Sequence, residues 1–297
     1  MADRDQPSAP IAGNAKPSAE PSAEPSAGLA APVAPITVVT GGSEGIGLAL
    51  AHRFAKAGDH VAIVARNPER LARAASELRA AGATVVEIAA DVTAPDTPAV
   101  IDAALAARGY YADVLINNAG IGLSGAFADE PEAAIERAMA TNVTALTRLT
   151  RHMLPAMLNR RRGGILNVAS MGGFMPGPYQ ALYYASKAYV LSLTEALAFE
   201  AAGNGVRIAV LAPGPVETRF HARMGAERAR YRTLMHAMSP ARVAGFGYWG
   251  FRVGRRVIVP GFVWPVVALA ARITPHVLLN PMMAWLLYTE PRQPLPK

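Results

Sequence analysis

The chain has 297 residues, of which 52% are hydrophobic and 17% are charged, so it can bury a sizeable core as a globular protein. It contains no cysteine, which excludes disulfides, thiolate nucleophiles and cysteine-ligated metals, and no metal site is expected. The net charge of +7 favours anionic ligands such as nucleotide phosphates, acyl-CoA or acidic lipid head groups. Nucleic acid is not an expected partner, because only residues 160–162 form a dense basic run.

The N-terminal residues differ in composition from the rest of the chain. A PSAE unit repeats over residues 17–28, and residues 1–34 are mainly Pro, Ala, Ser and Gly without apolar periodicity. This composition predicts a disordered tail. A signal peptide is not expected, because no apolar run follows the early charges. The tail carries a charge of −2, so the remainder of the chain carries +9.

From residue 35, short apolar runs alternate with helical segments. The predicted strands are ITVVT (36–40), HVAIVA (60–65), TVVEIAA (84–90), DVLINNAG (113–120), GGILNVAS (163–170) and VRIAVLAPG (206–214). Continuous apolar strands separated by helices are typical of a parallel sheet that is covered on both faces. The sequence therefore predicts an α/β fold, a Rossmann-type doubly wound parallel sheet of about seven strands with helices on both faces. This single catalytic domain is expected to span residues 35–262.

Polar and glycine-rich segments follow the predicted strands, where a doubly wound fold binds its ligands. Gly41, Gly45 and Gly47 come directly after the first strand and open a helix. Glycines permit a tight turn and a close approach of the backbone to a pyrophosphate, and the helix N-terminus favours negative charge. In this strand–turn–helix context, the glycines predict a nucleotide-binding loop.

The segment YYASKAYV (183–190) places two tyrosines shortly before Lys187. Outside residues 1–34 and the final residue, Lys56 and Lys187 are the only lysines in an arginine-rich chain. Lysine offers a compact ammonium whose pKa can be tuned, which a guanidinium does not. Positions i+3 and i+4 share a helix face, so geometry alone leaves both Tyr183 and Tyr184 open as its partner.

Seven motifs together resemble the short-chain dehydrogenase/reductase family over about residues 35–220. They are TGGSEGIG (40–47), DVT (91–93), NNAG (117–120), TNV (141–143), NVAS (167–170), YYASK (183–187) and PGPVET (213–218). Within the family, TGGSEGIG followed by VARN looks similar to the 3-ketosphinganine reductases and related bacterial members. The resemblance implies an oxidoreductase that interconverts a ketone and a secondary alcohol by hydride transfer.

The resemblance implies catalytic roles for Asn142, Ser170, Tyr183 and Lys187. The family spacing Tyr-x-x-x-Lys selects Tyr183 as the general acid and base, and leaves Tyr184 as a packing or wall residue. A nearby ammonium is expected to lower the phenol pKa from about 10, and Lys187 would also hold the ribose hydroxyls. The Ser170 hydroxyl would bind the substrate oxygen, and Asn142 would hold a water in a proton relay.

The resemblance also implies a nicotinamide cofactor. Ala65 occupies the position where NAD-preferring enzymes of this fold carry an acid, and Arg66 suits a 2′-phosphate, so NADP(H) is favoured over NAD(H). Glu44 points the other way, because some NADP-dependent relatives have a basic residue there. Asp91 and Val92 should contact the adenine. The expected cofactor-binding residues are Gly41, Ser43, Glu44, Gly45, Ile46, Gly47, Arg66, Asp91, Val92, Asn117, Asn118, Ala119, Gly120, Tyr183, Lys187, Pro213, Gly214, Val216 and Thr218.

The C-terminal part is strongly apolar over residues 257–288, but prolines interrupt it, so spanning helices are not expected. Residues 263–297 are interpreted as an apolar helical extension. Core packing, a homo-oligomer interface and peripheral contact with a membrane remain open for it, the last with a lipid-like substrate. Residues 219–238 are predicted to be helical, either as a substrate lid or as an amphipathic surface helix.

The expected partner is a small ketone or alcohol substrate, and a homo-oligomer is expected by analogy with the family. The expected location is cytoplasmic, with association at a membrane surface left open. Two non-enzymatic alternatives remain: a regulator or scaffold that binds NADP(H) without turnover, and a structural membrane-associated protein that acts through residues 257–288.

Overall fold

The structure, a computed structural model, describes residues 34–289. The predicted tail, except its last residue, and residues 290–297 lie outside the described residues. The strands are β1 (Ala34–Thr40), β2 (His60–Ala65), β3 (Val85–Ala89), β4 (Tyr110–Asn117), β5 (Gly163–Val168), β6 (Val206–Leu211) and β7 (Val257–Ile258). The α-helices are α1 (Gly45–Ala55), α2 (Pro68–Ala80), α3 (Thr97–Ala106), α4 (Glu132–Met139), α5 (Leu146–Arg160), α6 (Ala181–Glu200), α7 (Phe220–Arg223), α8 (Arg230–Leu234), α9 (Pro240–Arg252), α10 (Val263–Ile273) and α11 (His276–Leu287).

The seven strands form one sheet in the order β3-β2-β1-β4-β5-β6-β7, and every neighbouring pair is parallel. The order reverses direction between β1 and β4, and this switch point opens a crevice at the carboxyl ends of the strands. The predicted Rossmann-type fold is confirmed.

Helices cover both faces of the sheet. The core on one face includes Leu50 and Phe54 of α1 and Phe251 of α9, together with apolar residues of α2. The core on the other face includes Leu105 of α3 and Met157 of α5. Parallel strands that are buried on both faces need apolar residues at successive positions, which is why the strands read as continuous apolar runs.

Local signals in the sequence explain where some helices begin and end. Asn67 caps α2, because its side-chain oxygen accepts a hydrogen bond from the Arg70 amide at 2.8 Å, and Pro68 follows at the first helical position. Gly225 has φ +80° just after α7. Because this left-handed conformation interrupts the chain, residues 219–238 form two short helices rather than the single predicted one.

One continuous helical segment runs from α4 to α5 through a π-helix at Ala140–Ala145. The segment is thus a single helical run with a locally widened turn. The wider turn carries Asn142, which is buried. Segments of π-helix occur frequently at functional sites.

The C-terminal helices pack back onto the rest of the chain. Leu279, Met283 and Leu287 of α11 are buried against Met224 and Tyr231, which belong to the segment around α7 and α8. The described part of the predicted extension therefore closes over the carboxyl end of the sheet. Within residues 34–289, no helix combines the length and the apolar character that crossing a bilayer requires.

Candidate active site

A cavity of about 850 Å³ lies at the carboxyl ends of the central strands. Its floor comes from segments that follow β1, β4, β5 and β6, and its roof comes from α7, α8, α10 and α11 with their connecting segments. Fifteen of the residues expected at the site line it: Gly41, Ser43, Glu44, Gly45, Ile46, Asn118, Ala119, Gly120, Ser170, Tyr183, Lys187, Pro213, Gly214, Val216 and Thr218. Six do not: Gly47, Arg66, Asp91, Val92, Asn117 and Asn142.

The glycine loop turns directly from β1 into α1. Gly41 and Gly45 have φ values of +62° and +57°, which favour glycine. Gly47 has no room for a side chain, because a Cβ there would lie 2.3 Å from the Gly41 carbonyl oxygen and 2.4 Å from Asn118 Nδ2. Asn118 Nδ2 donates to the carbonyl oxygens of Thr40 and Gly41, both at 3.1 Å. The loop is thus compact and leaves the start of α1 open to the cavity.

Ser170, Tyr183 and Lys187 meet in the cavity. Ser170 follows β5, and its hydroxyl accepts a hydrogen bond from the Gly172 amide at 3.1 Å and lies near enough to Tyr183 to influence its pKa. Lys187 lies one turn after Tyr183 on α6, with its Nζ 5.8 Å from the centroid of the Tyr183 ring. The ammonium donates to the Val168 carbonyl oxygen at 2.9 Å. These contacts fix a hydroxyl pair beside a buried amine.

Burial is the main influence on the pKa values of Tyr183 and Lys187. Desolvation raises the pKa of Tyr183, and the hydrogen bond with Ser170 only partly opposes it. Desolvation also lowers the pKa of Lys187 from 10.5 to about 8. The expected lowering of the Tyr183 pKa by Lys187 is therefore wrong for this structure, because the amine faces the Val168 carbonyl oxygen and both side chains are buried. At neutral pH the phenol is protonated and ready to donate.

Tyr184 occupies the neighbouring wall. Its ring packs so closely on Gly177 that a Cβ there would lie 2.3 Å from the ring, and Gly172 contacts the same ring. The Tyr183 and Tyr184 ring centroids are 6.0 Å apart in an edge-on arrangement. Burial raises the pKa of Tyr184 as well. The structure thus gives Tyr184 a packing position, whereas Tyr183 has the Ser170 and Lys187 neighbours.

Asn142 lies behind the cavity and bonds to protein groups. Its Oδ1 accepts from the Ile121 amide at 2.9 Å, and its Nδ2 donates to the Ile121 carbonyl oxygen at 2.8 Å and to Ser186 Oγ at 3.1 Å. A Cβ on Gly120 would lie 3.3 Å from Asn142 Oδ1 and 3.5 Å from Lys187 Nζ, so Gly120 separates the two side chains. Asn142 therefore fixes the main chain beside Lys187.

Arg66 and Asp91 lie at the ends of β2 and β3, beyond the wall of the cavity. Arg66 is exposed, and its Nη1 is 3.5 Å from Asp91 Oδ2. Burial acts to raise the pKa of Asp91, but hydrogen bonds from the Thr93 amide and hydroxyl and the charge of Arg66 lower it overall. The Val92 side chain is packed in the core, so only the main-chain atoms of Val92 could contact the adenine.

Glu44 is held by arginines. Arg223 of α7 donates to both of its carboxylate oxygens, with Nη2 2.6 Å from Oε2, and Arg70 Nη1 lies 4.0 Å from Oε1. The hydrogen bond from Arg223 is the main cause that lowers the pKa of Glu44. The negative charge of Glu44, which would repel the 2′-phosphate of NADP(H), is therefore neutralised by the two arginines. The ion pair with Arg223 also joins the glycine loop to the helix α7.

The side chain of Asn117 does not face the cofactor site, contrary to its predicted place. It is buried within the fold, where Nδ2 donates to Asn167 Oδ1 at 2.9 Å and to Thr150 Oγ1 at 3.1 Å. Asn117 and Asn167 are register partners on β4 and β5, so the side chains meet on one face of the sheet. Asn117 therefore provides hydrogen bonds to the buried side chains of Thr150 and Asn167.

The segment 213–218 crosses beside the glycine loop. A Cβ on Gly45 would lie 3.3 Å from Thr218 Cγ2, and a Cβ on Gly214 would lie 2.4 Å from the Trp264 ring. Val216 is buried and forms an isolated parallel bridge with Met238. The segment thus links the loop, the roof helix α10 and the core.

Several wall residues carry no short motif and are missed by the sequence analysis. His221 Nδ1 and the Tyr231 hydroxyl are 2.8 Å apart, and burial lowers the pKa of His221 to about 4. Trp264, Gln180 and Met283 complete an otherwise apolar wall. The apolar pattern of residues 257–288 is the one signal that pointed to this region, and it did not show which side chains face inward.

Within residues 34–289, no group of three or more His, Asp or Glu residues could hold a metal ion. The residues present suit an organic cofactor with a pyrophosphate, because Gly41 and Gly45 bring the main chain to the cavity and the start of α1 faces it.

Comparisons with known proteins agree with this geometry. The family model described as short chain dehydrogenase matches residues 35–229. The ketoacyl reductase HetN of Nostoc sp. is 38% identical over 180 residues, which are 60% of this chain and 62% of that protein. The chain thus spans under two thirds of this relative's length.

Two solved structures are similar over most of their length. A short-chain dehydrogenase from Sphingobium yanoikuyae in complex with NADPH has a TM-score of 0.71 and 31% identity, with 89% of this chain and 98% of that chain covered. A bulky-bulky ketone specific alcohol dehydrogenase from Comamonas testosteroni has a TM-score of 0.67 and 29% identity, with 89% and 97% covered.

Proposed function

The chain belongs to the short-chain dehydrogenase family, and from that premise we propose that it interconverts a ketone and a secondary alcohol with NADP(H). The single observation that carries the proposal is that Tyr183 lies in the cavity together with Ser170 and has Lys187 one helical turn away. Oxidoreductase chemistry on a carbon–oxygen bond needs one such group to give or take a proton.

In the direction of reduction, the nicotinamide cofactor supplies a hydride to the carbonyl carbon when bound. Tyr183 donates its proton to the carbonyl oxygen, so hydride and proton together give the secondary alcohol. Ser170 holds that oxygen by a hydrogen bond, which matters most as negative charge develops there. Lys187, anchored on the Val168 carbonyl oxygen, would hold the ribose hydroxyls of the cofactor. Asn142 acts as a positioning residue through Ile121 and Ser186, and its part in a water relay stays a prediction.

The preference for NADP(H) is supported by charges at the end of β2. The strand ends at Ala65 without an acid, and the exposed Arg66 guanidinium follows it. Glu44, which would repel a phosphate, is paired with Arg223 and Arg70. A solved relative is in complex with NADPH. A 2′-phosphate at Arg66 would gain charge-assisted hydrogen bonds that NAD cannot form.

The substitution Arg66→Ala tests this preference. We expect the KM for NADPH to rise by about 10-fold or more, since a hydrogen bond to a charged group contributes about 1.5–3 kcal/mol. The KM for NADH should change little. Steady-state rates with each cofactor give both values. Arg108→Ala is the matched control, because that exposed arginine bonds Ala104 on α3, away from the site. An equal effect on both cofactors would contradict the assignment.

A long-chain or lipid-like 3-keto substrate is supported by the shape and chemistry of the cavity. The cavity of about 850 Å³ also has to hold the dinucleotide, but apolar side chains such as Met175, Val267 and Leu286 line much of the remainder, which suits a long apolar substrate. The similar Comamonas enzyme is described as specific for bulky-bulky ketones, and the Nostoc relative as a ketoacyl reductase. The expected location in the cytoplasm belongs to the same proposal.

NADPH consumption by the purified protein tests this function. We expect turnover of 3-ketosphinganine to exceed turnover of acetoacetyl-CoA and of a simple aromatic ketone. Val267→Phe should then lower the long-chain rate by about 10-fold while changing the aromatic ketone rate little, because it narrows the apolar part of the cavity. Val266→Phe is the control, since that neighbour points outward and is 66% exposed. Turnover of small ketones alone would contradict the lipid-like substrate and leave a general carbonyl reductase.

A further inference from the structure

The helix α10 is apolar on two opposite sides. Its inner side carries Val267 and Ala271, which line the cavity. Its outer side carries Val266, Leu269 and Ile273, which are 66%, 63% and 75% exposed. Spacings of three and four residues place these outer side chains on one helical face. A helix with an apolar surface all round is normally buried on every side, and this one is not.

The helix α11 repeats the arrangement. Leu279, Met283 and Leu287 face the cavity and are buried, whereas Leu278 and Trp285 are exposed, as are Val277 and Met282. Just before α10, Phe262 is 94% exposed. We call the exposed apolar residues of α10 and α11, with Phe262, the outer face. Monomeric soluble proteins seldom show large contiguous apolar patches unless the patch binds something.

The chain segment that carries the outer face is rich in arginine. Residues 228–289 contain eight arginines and neither Asp nor Glu. Arg230 lies against the outer face, with its guanidinium carbon 5.2 Å from the Trp285 ring and its Nη1 2.8 Å from the Trp285 carbonyl oxygen. Arg272 lies on α10 itself, although it also pairs with Glu195 at 3.4 Å. An anionic lipid surface complements such an apolar patch with basic neighbours.

We propose that the outer face docks on an anionic membrane surface, where α10 and α11 lie in the plane of the lipid head groups. This inference rests on the proposed function, since the inner sides of the same two helices wall the substrate cavity. A lipid-like ketone would pass from the bilayer between helices that contact both the membrane and the site. Neither helix is expected to span the bilayer, because α10 has 11 residues and α11 has 12.

Co-sedimentation of the full-length protein with vesicles tests the docking. We expect binding to vesicles of phosphatidylcholine mixed with phosphatidylglycerol, weaker binding to phosphatidylcholine alone, and a decrease with added salt. The double substitution Val266→Ser and Leu278→Ser should weaken binding by about 10-fold or more, because each change removes an apolar side chain from the contact. Neither residue lines the cavity, so turnover of a small ketone should persist.

Two controls separate the outcomes. Phe199→Ser removes an exposed apolar side chain of α6, 73% exposed and outside the outer face, and should bind vesicles like the parent. Tyr183→Phe should also bind vesicles fully, so loss of turnover and loss of docking are distinguishable. No binding to anionic vesicles, or equal binding by the double variant, overturns the proposal. A dimer in gel filtration that the double variant converts to a monomer would assign the outer face to a second copy and also overturn it.

Discussion

Tyr183→Phe is expected to lower kcat for ketone reduction by roughly 10²- to 10⁴-fold, because it removes the hydroxyl that lies in the cavity with Ser170 and precedes Lys187 by one turn. The fold and the affinity for NADPH should persist, since the aromatic ring keeps its packing. Steady-state turnover and fluorescence titration with NADPH measure the two quantities separately.

The neighbouring tyrosine provides the matched control. Tyr184→Phe should change kcat by no more than a few-fold, because the ring of this side chain packs on Gly172 and Gly177 and keeps that packing as phenylalanine. The reverse pattern would move the catalytic role to Tyr184. Full activity in both variants would refute the tyrosine assignment. Tight NADPH binding without turnover of any ketone by the parent protein would favour the regulator or scaffold instead.

Gly47→Ala is expected to raise the Kd for NADPH by about 100-fold or more, although Gly47 itself does not line the cavity. The added methyl group would approach the Gly41 carbonyl oxygen to 2.3 Å and Asn118 Nδ2 to 2.4 Å, so the loop must move. That movement breaks the hydrogen bonds from Asn118 to Thr40 and Gly41, which shape the pyrophosphate site. Overpacking of this kind also costs about 1–3 kcal/mol of stability.

Gly245→Ala is the control for this change. Gly245 lies within the helix α9, and a Cβ there meets no other heavy atom within 4 Å. Alanine is favoured over glycine inside helices, so the melting temperature of the Gly245→Ala protein should stay the same or rise. Its Kd for NADPH should equal that of the parent protein. Calorimetric titration and thermal unfolding give both readouts. A Gly47→Ala protein with parental NADPH affinity would show that the loop does not hold the pyrophosphate.

The sequence predicts the central sheet and the floor of the site well, for a physical reason. Strands buried on both faces must be apolar throughout, and the residues after them must be polar or glycine to meet a ligand. The two signals alternate along the chain, so Gly41 and Ser170 could be placed at one edge of the sheet, and the resemblance to the family added Tyr183 beside them. The prediction for Asn117 was wrong because a polar residue at a strand end does not have to face a ligand. Here its side chain pairs with Asn167 inside the fold.

The roof of the cavity could not be predicted in the same way. The helices α10 and α11 are apolar on their inner and outer sides, so periodicity gives them no direction. His221, Tyr231 and Trp264 come from three segments that share no motif and meet only through the fold. Burial likewise reversed the expected direction of the Tyr183 pKa, because the depth of a side chain is a property of the packed structure.

The ion pair between Glu44 and Arg223 has a kinetic consequence. It fastens the roof helix α7 to the loop that receives the cofactor, and both side chains remain partly exposed to solvent. If α7 moves away from the glycine loop, the ion pair must break. While the pair is intact, α7 covers the cavity and restricts the entry of ligands. Binding is therefore expected to be ordered, with the dinucleotide first and the ketone second. Because salt weakens a solvated ion pair, the rate at which ligands exchange should rise with ionic strength.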